Sequence, residues 1–202
     1  KRVELLRITD THVAAMERWK RLEHLSVFHP SLSTPAKLKA FRYLKKLSIG
    51  PIDVDDELLD TVCRMRKLEQ LWLQPKENIE VSEASAEKLS RMRSLKDVRL
   101  YNCVFSDRRE RFVKAIASNG SVERVELLFN GVHPLHEDEL AALCEGKSIR
   151  ELYIFGDGLV DLCYEKLARS ESIEKLSLCY PMEVTEDLAT YLAQMKQLNE
   201  LR

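Results

Sequence analysis

The stretch Val122-Glu123-Arg124-Val125-Glu126-Leu127 decides the fold, because apolar residues stand at its first, fourth and sixth positions. The same triad occurs in seven other complete copies along the 202 residues, and Leu198 and Leu201 begin a ninth. The first positions of successive copies are 19 to 27 residues apart. Self-similarity at such a period predicts a solenoid of stacked units. The other complete copies are Val3-Leu6-Ile8, Leu22-Leu25-Val27, Leu44-Leu47-Ile49, Leu68-Leu71-Leu73, Leu95-Val98-Leu100, Ile149-Leu152-Ile154 and Ile173-Leu176-Leu178.

Each unit combines a strand with a helix. The alternation of apolar and polar residues inside the triad is typical of a strand with one buried face. The second half of most units changes to helical spacing, which makes an apolar stripe on a helix. Such a unit buries its apolar face only by stacking on its neighbours, so we predict an α/β solenoid with a parallel sheet on the concave face and helices on the convex face. One such stripe consists of Leu58, Leu59, Val62 and Met65.

Local sequence signals support these helices. Thr34 followed by Pro35 predicts an N-cap with proline at the first helical position. The acidic run 55–57 predicts a helix start, where the macrodipole favours negative charge. Gly120 and Gly146 follow the predicted helices 109–118 and 138–145, so we expect the left-handed conformation that ends many helices.

The triads resemble those of the leucine-rich-repeat superfamily, specifically its long, helix-containing branch. That branch is similar to ribonuclease inhibitor, F-box substrate receptors and the repeat domains of nucleotide-binding innate-immune receptors. The resemblance covers almost the whole chain and implies one horseshoe domain, residues 1–202, of about eight to nine repeats within a longer protein. Family repeats carry Asn or Cys shortly after the last triad residue, and here only Cys103, Asn130 and Asp157 comply. We therefore expect a regular ladder in the middle, irregular turns near the start, and first helical segments that are brief or partly 3₁₀.

The composition narrows the class of partner and the compartment. The chain has 32 basic and 33 acidic residues and a net charge of −1, so no long-range field favours nucleic acid or an anionic membrane surface. No apolar run approaches the roughly 18 residues that a membrane span needs. The five cysteines are odd in number and form no CxxC pair, which favours reduced thiols in the cytoplasm or nucleus. The cysteines are Cys63, Cys103, Cys144, Cys163 and Cys179.

The candidate binding site lies on the concave face. Residues between the second and third triad positions, and just after the third, point away from the core and are free to bind. Exposed aromatic residues beside arginine resemble the composition of interface hot spots. Two alternatives stay open: the rings pack on one another across strands, or the register is misassigned. The predicted partner-binding residues are Trp72, Arg99, Tyr101, Glu126, Leu128, Tyr153 and Phe155, and the same reading places Arg7 and Thr9 on this face in the first repeat.

Signatures of catalysis and of metal binding are weak. His133 and His136 lie three apart on a proline-bearing loop and lack the order that places two ligands on one helical face. Nothing near Cys179 in sequence lowers its pKa, as a nucleophile requires. The basic run 108–111 with Lys114 reads as a solvated convex face. We therefore expect no enzyme activity, no cofactor and no metal.

Three functions compete. The first is a scaffold that binds a protein or peptide on its concave face, and the resemblance to F-box receptors implies the substrate-recognition domain of a ubiquitin ligase as one form. The second is a GTPase-activating protein that offers Arg7 or Arg99 as an arginine finger. The third is a structural spacer between flanking domains. The sequence leaves the partner and the oligomeric state open.

Overall fold

One open sheet of parallel strands forms one layer of the molecule, and helices form the other. The computed structural model describes residues 1–16, 18–19, 21–32, 35–102, 107–129, 135–156, 162–179 and 186–202, with the backbone alone at residues 78, 107, 162, 163 and 179. Within those ranges the sheet has nine strands, whose spatial order is their order in the chain. The strands are β1 (Arg2–Thr9), β2 (His24–Ser31), β3 (Lys46–Asp55), β4 (Gln70–Glu80), β5 (Asp97–Tyr101), β6 (Arg124–Leu128), β7 (Glu151–Phe155), β8 (Lys175–Cys179) and β9 (Glu200–Leu201).

A helical segment connects each strand to the next. All neighbouring strands pair in parallel, so the chain crosses back through the helical layer after every strand. This arrangement confirms the predicted α/β solenoid. Among the described residues, no helix is long and apolar enough to cross a membrane. The helices are α1 (Asp10–Met16), a 3₁₀ helix (Pro35–Phe41), α2 (Asp56–Cys63), α3 (Glu83–Ser90), α4 (Asp107–Ser118), α5 (Glu137–Glu145), α6 (Leu162–Ala168) and α7 (Glu186–Leu192).

The triad residues fill the space between the two layers. Leu68, Leu71 and Leu73 have no exposed surface, and the same holds for Leu58 and Leu59 on α2. Full burial of a leucine side chain stabilises the fold by about 1.5–3 kcal/mol. Because every repeat contributes such residues, the core is one continuous layer along the solenoid.

In β1 the predicted triad Val3-Leu6-Ile8 is wrong in its register. Val3 lies beside Leu25, the second member of the next triad, and Leu5, not Ile8, lies beside its third member, Val27. Leu6 is 74% exposed. Ile8 is buried, but beyond the triad, because residues 6 and 7 both face solvent and shift the alternation by one. The spacing from β1 to β2 is therefore 22 residues, the same as from β2 to β3.

The helix ends are stabilised by a side-chain N-cap and by close packing, and not by glycines in the left-handed conformation. Asp55 is the N-cap of α2, and its carboxylate accepts a hydrogen bond from the Leu58 N–H at 2.8 Å. The prediction of a left-handed conformation at Gly120 and Gly146 is wrong. Gly146 has a φ of −65°, and a Cβ atom there would lie 2.9 Å from the carbonyl oxygen of Ala117. Close packing between repeats, not backbone strain, requires this glycine.

The two halves of the sheet differ in regularity. Strands β1 to β4 have 8 to 11 residues, whereas β5 to β8 have five each. Beyond Ile49 the register between β3 and β4 shifts twice. The helical segment after β1 has seven residues and the one after β2 is a 3₁₀ helix, which confirms the expectation of brief first segments.

A buried amide ties the turn before β6 to the turn before β5. The Asn119 side chain is 1% exposed, and its Nδ2 donates to the carbonyl oxygens of Leu89 at 2.9 Å and Met92 at 3.1 Å. Its Oδ1 accepts from the Ser121 N–H at 2.9 Å. One side chain therefore satisfies two carbonyl groups of the preceding repeat and one amide of its own.

Two serines continue this ladder through the next turns. Ser148 Oγ donates to the carbonyl oxygen of Asn119 at 2.8 Å, and Ser172 Oγ donates to that of Gly146 at 2.8 Å. The polar ladder thus lies at the turns that precede the strands, an edge where the sequence analysis placed none. The ladder predicted after the strands falls on Cys103, Asn130 and Asp157, which lie outside the described residues.

The basic run 108–111 is not wholly a solvated face, so that prediction is wrong for Arg109. Arg109 is 0% exposed, and its guanidinium donates to Glu139 Oε1 at 2.8 Å and Oε2 at 2.5 Å. Its Cζ lies 5.0 Å from the ring centroid of Phe129. Glu139 also accepts from the His136 N–H at 2.9 Å, which closes the capping box of α5. A buried charge persists only when it is paired, and this pair locks α4 to α5.

Candidate functional site: the concave wall

The strand register places the predicted binding residues side by side on one face. Trp72, Arg99, Glu126 and Tyr153 form one row across β4, β5, β6 and β7. Because the residues before and after each of them are core residues, this row faces away from the helices. A second row runs parallel to it two residues later. We call the two rows together the concave wall, which consists of Trp72, Arg99, Tyr101, Glu126, Leu128, Tyr153 and Phe155, each partly buried.

Trp72 is held between two cations from the neighbouring strands. The Lys46 Nζ on β3 lies 3.2 Å from the indole centroid, and the Arg99 Cζ on β5 lies 4.1 Å from it. Such cation–π contacts contribute about 0.5–1 kcal/mol when exposed and about 2 when desolvated. Partial burial, and then the charge of Arg99, lower the pKa of Lys46. The indole Nε1 is buried and has no hydrogen-bond partner within the described part of the chain, so the cations orient this ring.

Arg99 is fixed by carboxylates on its own strand and on the next. Its guanidinium donates to Asp97 at 2.9 and 3.0 Å and pairs with Glu126 at 3.1 Å. Partial burial by itself would lower the pKa of Arg99. The hydrogen bond from Arg99 to Asp97 and the negative charges of Asp97 and Glu126 outweigh this effect and raise the pKa. The Tyr101 hydroxyl donates to Glu126 at 3.2 Å. Burial, together with the charge of Glu126, raises the pKa of Tyr101, so the phenol stays a donor.

A second cluster repeats this design on β6, β7 and β8. The Arg124 Cζ lies 4.2 Å from the Tyr153 ring centroid, and its guanidinium pairs with Glu126 at 3.2 Å and Glu151 at 3.1 Å. The Tyr153 hydroxyl donates to Glu151 at 3.2 Å. A hydrogen bond from Lys175 at 2.8 Å lowers the pKa of Glu151. The rings are therefore held by cations rather than left free to rotate.

The prediction that Arg7 and Thr9 continue the two rows into the first repeat is wrong. Because the register of β1 differs from the predicted triad, Glu4 lies beside Ser26 where Arg7 was expected. Leu6 takes the place of Thr9 in the second row and lies next to Phe28 on β2. Leu6 is 74% exposed and Phe28 is 54% exposed, more than any residue of the concave wall. The exposed position of Leu6 was not predicted, because Leu6 fits the second apolar place of the triad pattern.

The other candidates do not gather into a site. Cys144 is buried, and burial raises the pKa of Cys63 to about 11, so this thiol is protonated at neutral pH. His136 caps α5, and His133 lies outside the described residues. The side chain of Cys179 is likewise not described. Within the described ranges, no three His, Cys, Asp or Glu side chains are placed to hold a metal ion.

Comparison with known proteins supports the fold. The chain matches no protein-family model and none of the curated proteins. It is similar to the solved structure of a leucine-rich-repeat protein of Leptospira interrogans, with a TM-score of 0.54 and 13% identity over 100% of this chain and 48% of that one. It also aligns with an internalin of Listeria monocytogenes strain 4b F2365, with a TM-score of 0.32 and 11% identity over 93% of this chain and 69% of the internalin.

The chain thus spans about half the length of the Leptospira protein. An identity of 13% shows the fold alone, and it does not show the ribonuclease-inhibitor or F-box branch that the sequence resembles. Together with the nine parallel strands in chain order among the described residues, this likeness shows that the chain folds as a leucine-rich-repeat solenoid.

Proposed function

We propose that this chain is a non-catalytic scaffold that holds a protein or peptide segment against the concave wall. The supporting observation is the contiguity of the wall: Trp72, Tyr101, Tyr153 and Phe155 lie on neighbouring strands of one face. Rings that are already oriented bind at a lower entropic cost than free side chains. Aromatic residues beside arginine are also the residue types enriched at interface hot spots.

The wall favours a partner of near-neutral character. Lys46, Arg99 and Arg124 are paired with, or lie among, Asp97, Glu126 and Glu151, so little net charge faces the partner. Strands lie about 4.8 Å apart, so β4 to β7 span about 14 Å. This width suits an extended segment of a few residues or one face of a helix. Attraction by shape and apolar contact predicts an affinity that changes little with salt.

The test is affinity purification from the source cells with the double variant Trp72→Ala and Tyr153→Ala. Removal of two anchors at the centre of the wall should abolish capture, because loss of one anchor costs about 2 kcal/mol or more. The matched control is Lys147→Ala with Lys196→Ala, two exposed residues in turns between helix and strand. If a folded double variant captures the same proteins as the wild type, the proposal is wrong.

One finer form of this function is substrate recognition in a ubiquitin ligase. It rests only on the resemblance to F-box receptors, and it predicts that the full-length protein co-purifies with a cullin and its adaptor. Recovery of the concave-wall partner without either subunit would discard this form and leave the scaffold intact. We also place the scaffold inside the cell, because Cys63 is a free thiol.

The two alternatives receive less support. An arginine finger must reach a nucleotide held by another protein, whereas the Arg99 side chain is 18% exposed and held by Asp97 and Glu126. Arg7, the other candidate, is exposed on β1 away from the wall. A spacer needs no ordered concave face, and the same double variant distinguishes it, because a spacer captures no partner through Trp72.

A further inference from the structure

The turns before β4 and β5 carry the same tripeptide, Arg-Met-Arg, at residues 64–66 and 91–93. The central residues Met65 and Met92 are 1% and 7% exposed and act as apolar anchors of the two turns. All four flanking arginines are exposed. The repeat period therefore brings two pairs of guanidinium groups to one edge of the solenoid.

These arginines line a single cavity. Its volume is about 510 Å³, and it lies between the ends of α2 and α3. This volume falls in the range of sites for small ligands, roughly 300–1,000 Å³. The net charge of the whole chain is only −1, so the cationic excess is a local feature. The charged lining consists of five cations, Arg64, Arg66, Lys88, Arg91 and Arg93, and one carboxylate, Asp60.

Three of the five cations form ion pairs with neighbouring carboxylates. Asp60 pairs with Lys88 and, at 3.9 Å, with Arg64. Glu87 pairs with Arg91 at 2.5 Å. Arg66 and Arg93 form no ion pair with any described residue. Two guanidinium groups with unused donors therefore remain at the same cavity.

Helix capping explains only part of this charge. Arg64 and Arg91 are the C-caps of α2 and α3, where the macrodipole favours a cation. Arg66 and Arg93 lie two residues further on, in the turn. At the position equivalent to theirs, the turn before β6 has Gly120. Stacking of the repeats therefore does not require arginine there, which leaves these two guanidinium groups available to a ligand.

We propose that this cavity binds a phosphate monoester, with Arg66 and Arg93 donating to its oxygens. A phosphate monoester carries about two negative charges at neutral pH and three acceptor oxygens. The planar fork of guanidinium matches these oxygens with two parallel hydrogen bonds. Lys88 and Arg64 share the single carboxylate of Asp60, so the lining keeps an excess of positive charge. The phosphate belongs either to a phosphorylated side chain or to a small phosphorylated metabolite.

The test is calorimetric titration at low ionic strength. The probes are a glycine–alanine peptide with one phosphoserine, the same peptide with serine or with glutamate, free phosphoserine, and inorganic phosphate. We expect the phosphopeptide to bind, the serine peptide not to bind, and the glutamate peptide to bind at least about tenfold more weakly. Equal affinity for free phosphoserine and the phosphopeptide assigns the site to small ligands, and tighter binding of the phosphopeptide assigns it to a modified protein.

The variant Arg66→Ala with Arg93→Ala should weaken phosphate binding at least about tenfold, because each charge-assisted hydrogen bond is strong. The matched control is Lys147→Ala with Lys196→Ala, which removes the exposed cations at the equivalent position of two other turns. The concave variant Trp72→Ala should leave phosphate binding unchanged, so the two proposals fail independently. Lack of binding by every phosphate probe, unchanged affinity in the arginine variant, or equal affinity for the glutamate peptide overturns the proposal.

Discussion

The turns that precede β4 and β5 are built differently from those that precede β6, β7 and β8. Before β4 and β5, a buried methionine fills the turn, and arginines remain at the rim. Before β6, the equivalent residue is Asn119, whose amide hydrogen-bonds to the preceding repeat. Ser148 and Ser172 continue these bonds toward β8. The same place in the repeat thus serves either apolar packing, which leaves cations available, or direct polar contact between turns.

This difference accounts for part of the regularity of the solenoid, since β5 also has five residues although it follows an apolar turn. Hydrogen bonds are directional and fix one turn against the next, and the repeats that have them use strands of five residues. Apolar packing is less directional and tolerates the register shifts between β3 and β4. The comparison therefore predicts that polar substitutions damage the second half most and that conservative apolar substitutions are tolerated in the first.

The largest expected effect is that of Arg109→Leu in the second half. This change leaves Glu139 as a buried charge without its cation and should lower the free energy of unfolding by about 3–5 kcal/mol. Urea denaturation measures it. The double variant Arg109→Leu with Glu139→Leu should recover most of the loss. If the double variant is as unstable as the single one, the pair does not act as a unit.

Asn119→Ala should cost about 2–3 kcal/mol, because it removes three hydrogen bonds of a buried amide, two to the carbonyl groups of Leu89 and Met92 and one from the Ser121 N–H. The matched substitution in the first half is Met65→Leu, which conserves volume and should cost less than about 1.5 kcal/mol. Thermal unfolding of both variants compares the two kinds of turn. Equal losses would show that the polar and apolar turns are equivalent.

Ser172→Ala should cost about 1 kcal/mol through the loss of its hydrogen bond to Gly146. Ser94 occupies the same place in the turn before β5 and makes no hydrogen bond to a described residue. Ser94→Ala should therefore change stability by less than about 0.5 kcal/mol. Urea titrations of the two serine variants separate a ladder residue from a surface residue, and a larger loss for Ser94→Ala contradicts the ladder.

The smallest effect concerns pH at the second-half end of the concave wall. The hydrogen bond from Lys175 lowers the pKa of Glu151 below its ordinary value of 4.5. The contribution of Glu151 to stability is therefore fully present above that value and is lost as the pH falls through the lower folded pKa. Wild type and Glu151→Gln should differ in stability at neutral pH and converge in acid. A difference that persists in acid means that protonation of Glu151 does not control this contribution.

The repeat pattern predicted most of the architecture. Triads from Leu22 onward place the strands, because two apolar residues flank one polar residue in each. The first triad failed because Leu6 and Ile8 are both apolar and fit the pattern, whereas the constant offset of 22 residues to β2 makes Val3 and Leu5 the paired core positions. The burial of Arg109 was predictable from helical spacing, because it stands three residues before Phe112, on the apolar stripe of α4.

The contacts of the concave wall were less predictable than its position. Register alone places Trp72 beside Arg99, so the repeat pattern predicts this pair of neighbours. The row two residues earlier supplies Lys46, Asp97 and Arg124, which were not among the predicted binding residues. These charged residues determine whether the aromatic rings are free or fixed by cation–π contacts. The ion pairs among the charges depend on side-chain conformation, which a repeat pattern does not specify.

The most direct test of the central proposal is site-specific photo-crosslinking in the source cells. A photoreactive residue replaces Gln74 on β4, beside the concave wall, or Arg111 on the exposed side of α4. The scaffold proposal predicts a protein adduct from position 74, its loss when Trp72→Ala and Tyr153→Ala are added, and none from position 111. An adduct from position 111 alone, or one from position 74 that survives the double variant, would contradict docking on the concave wall.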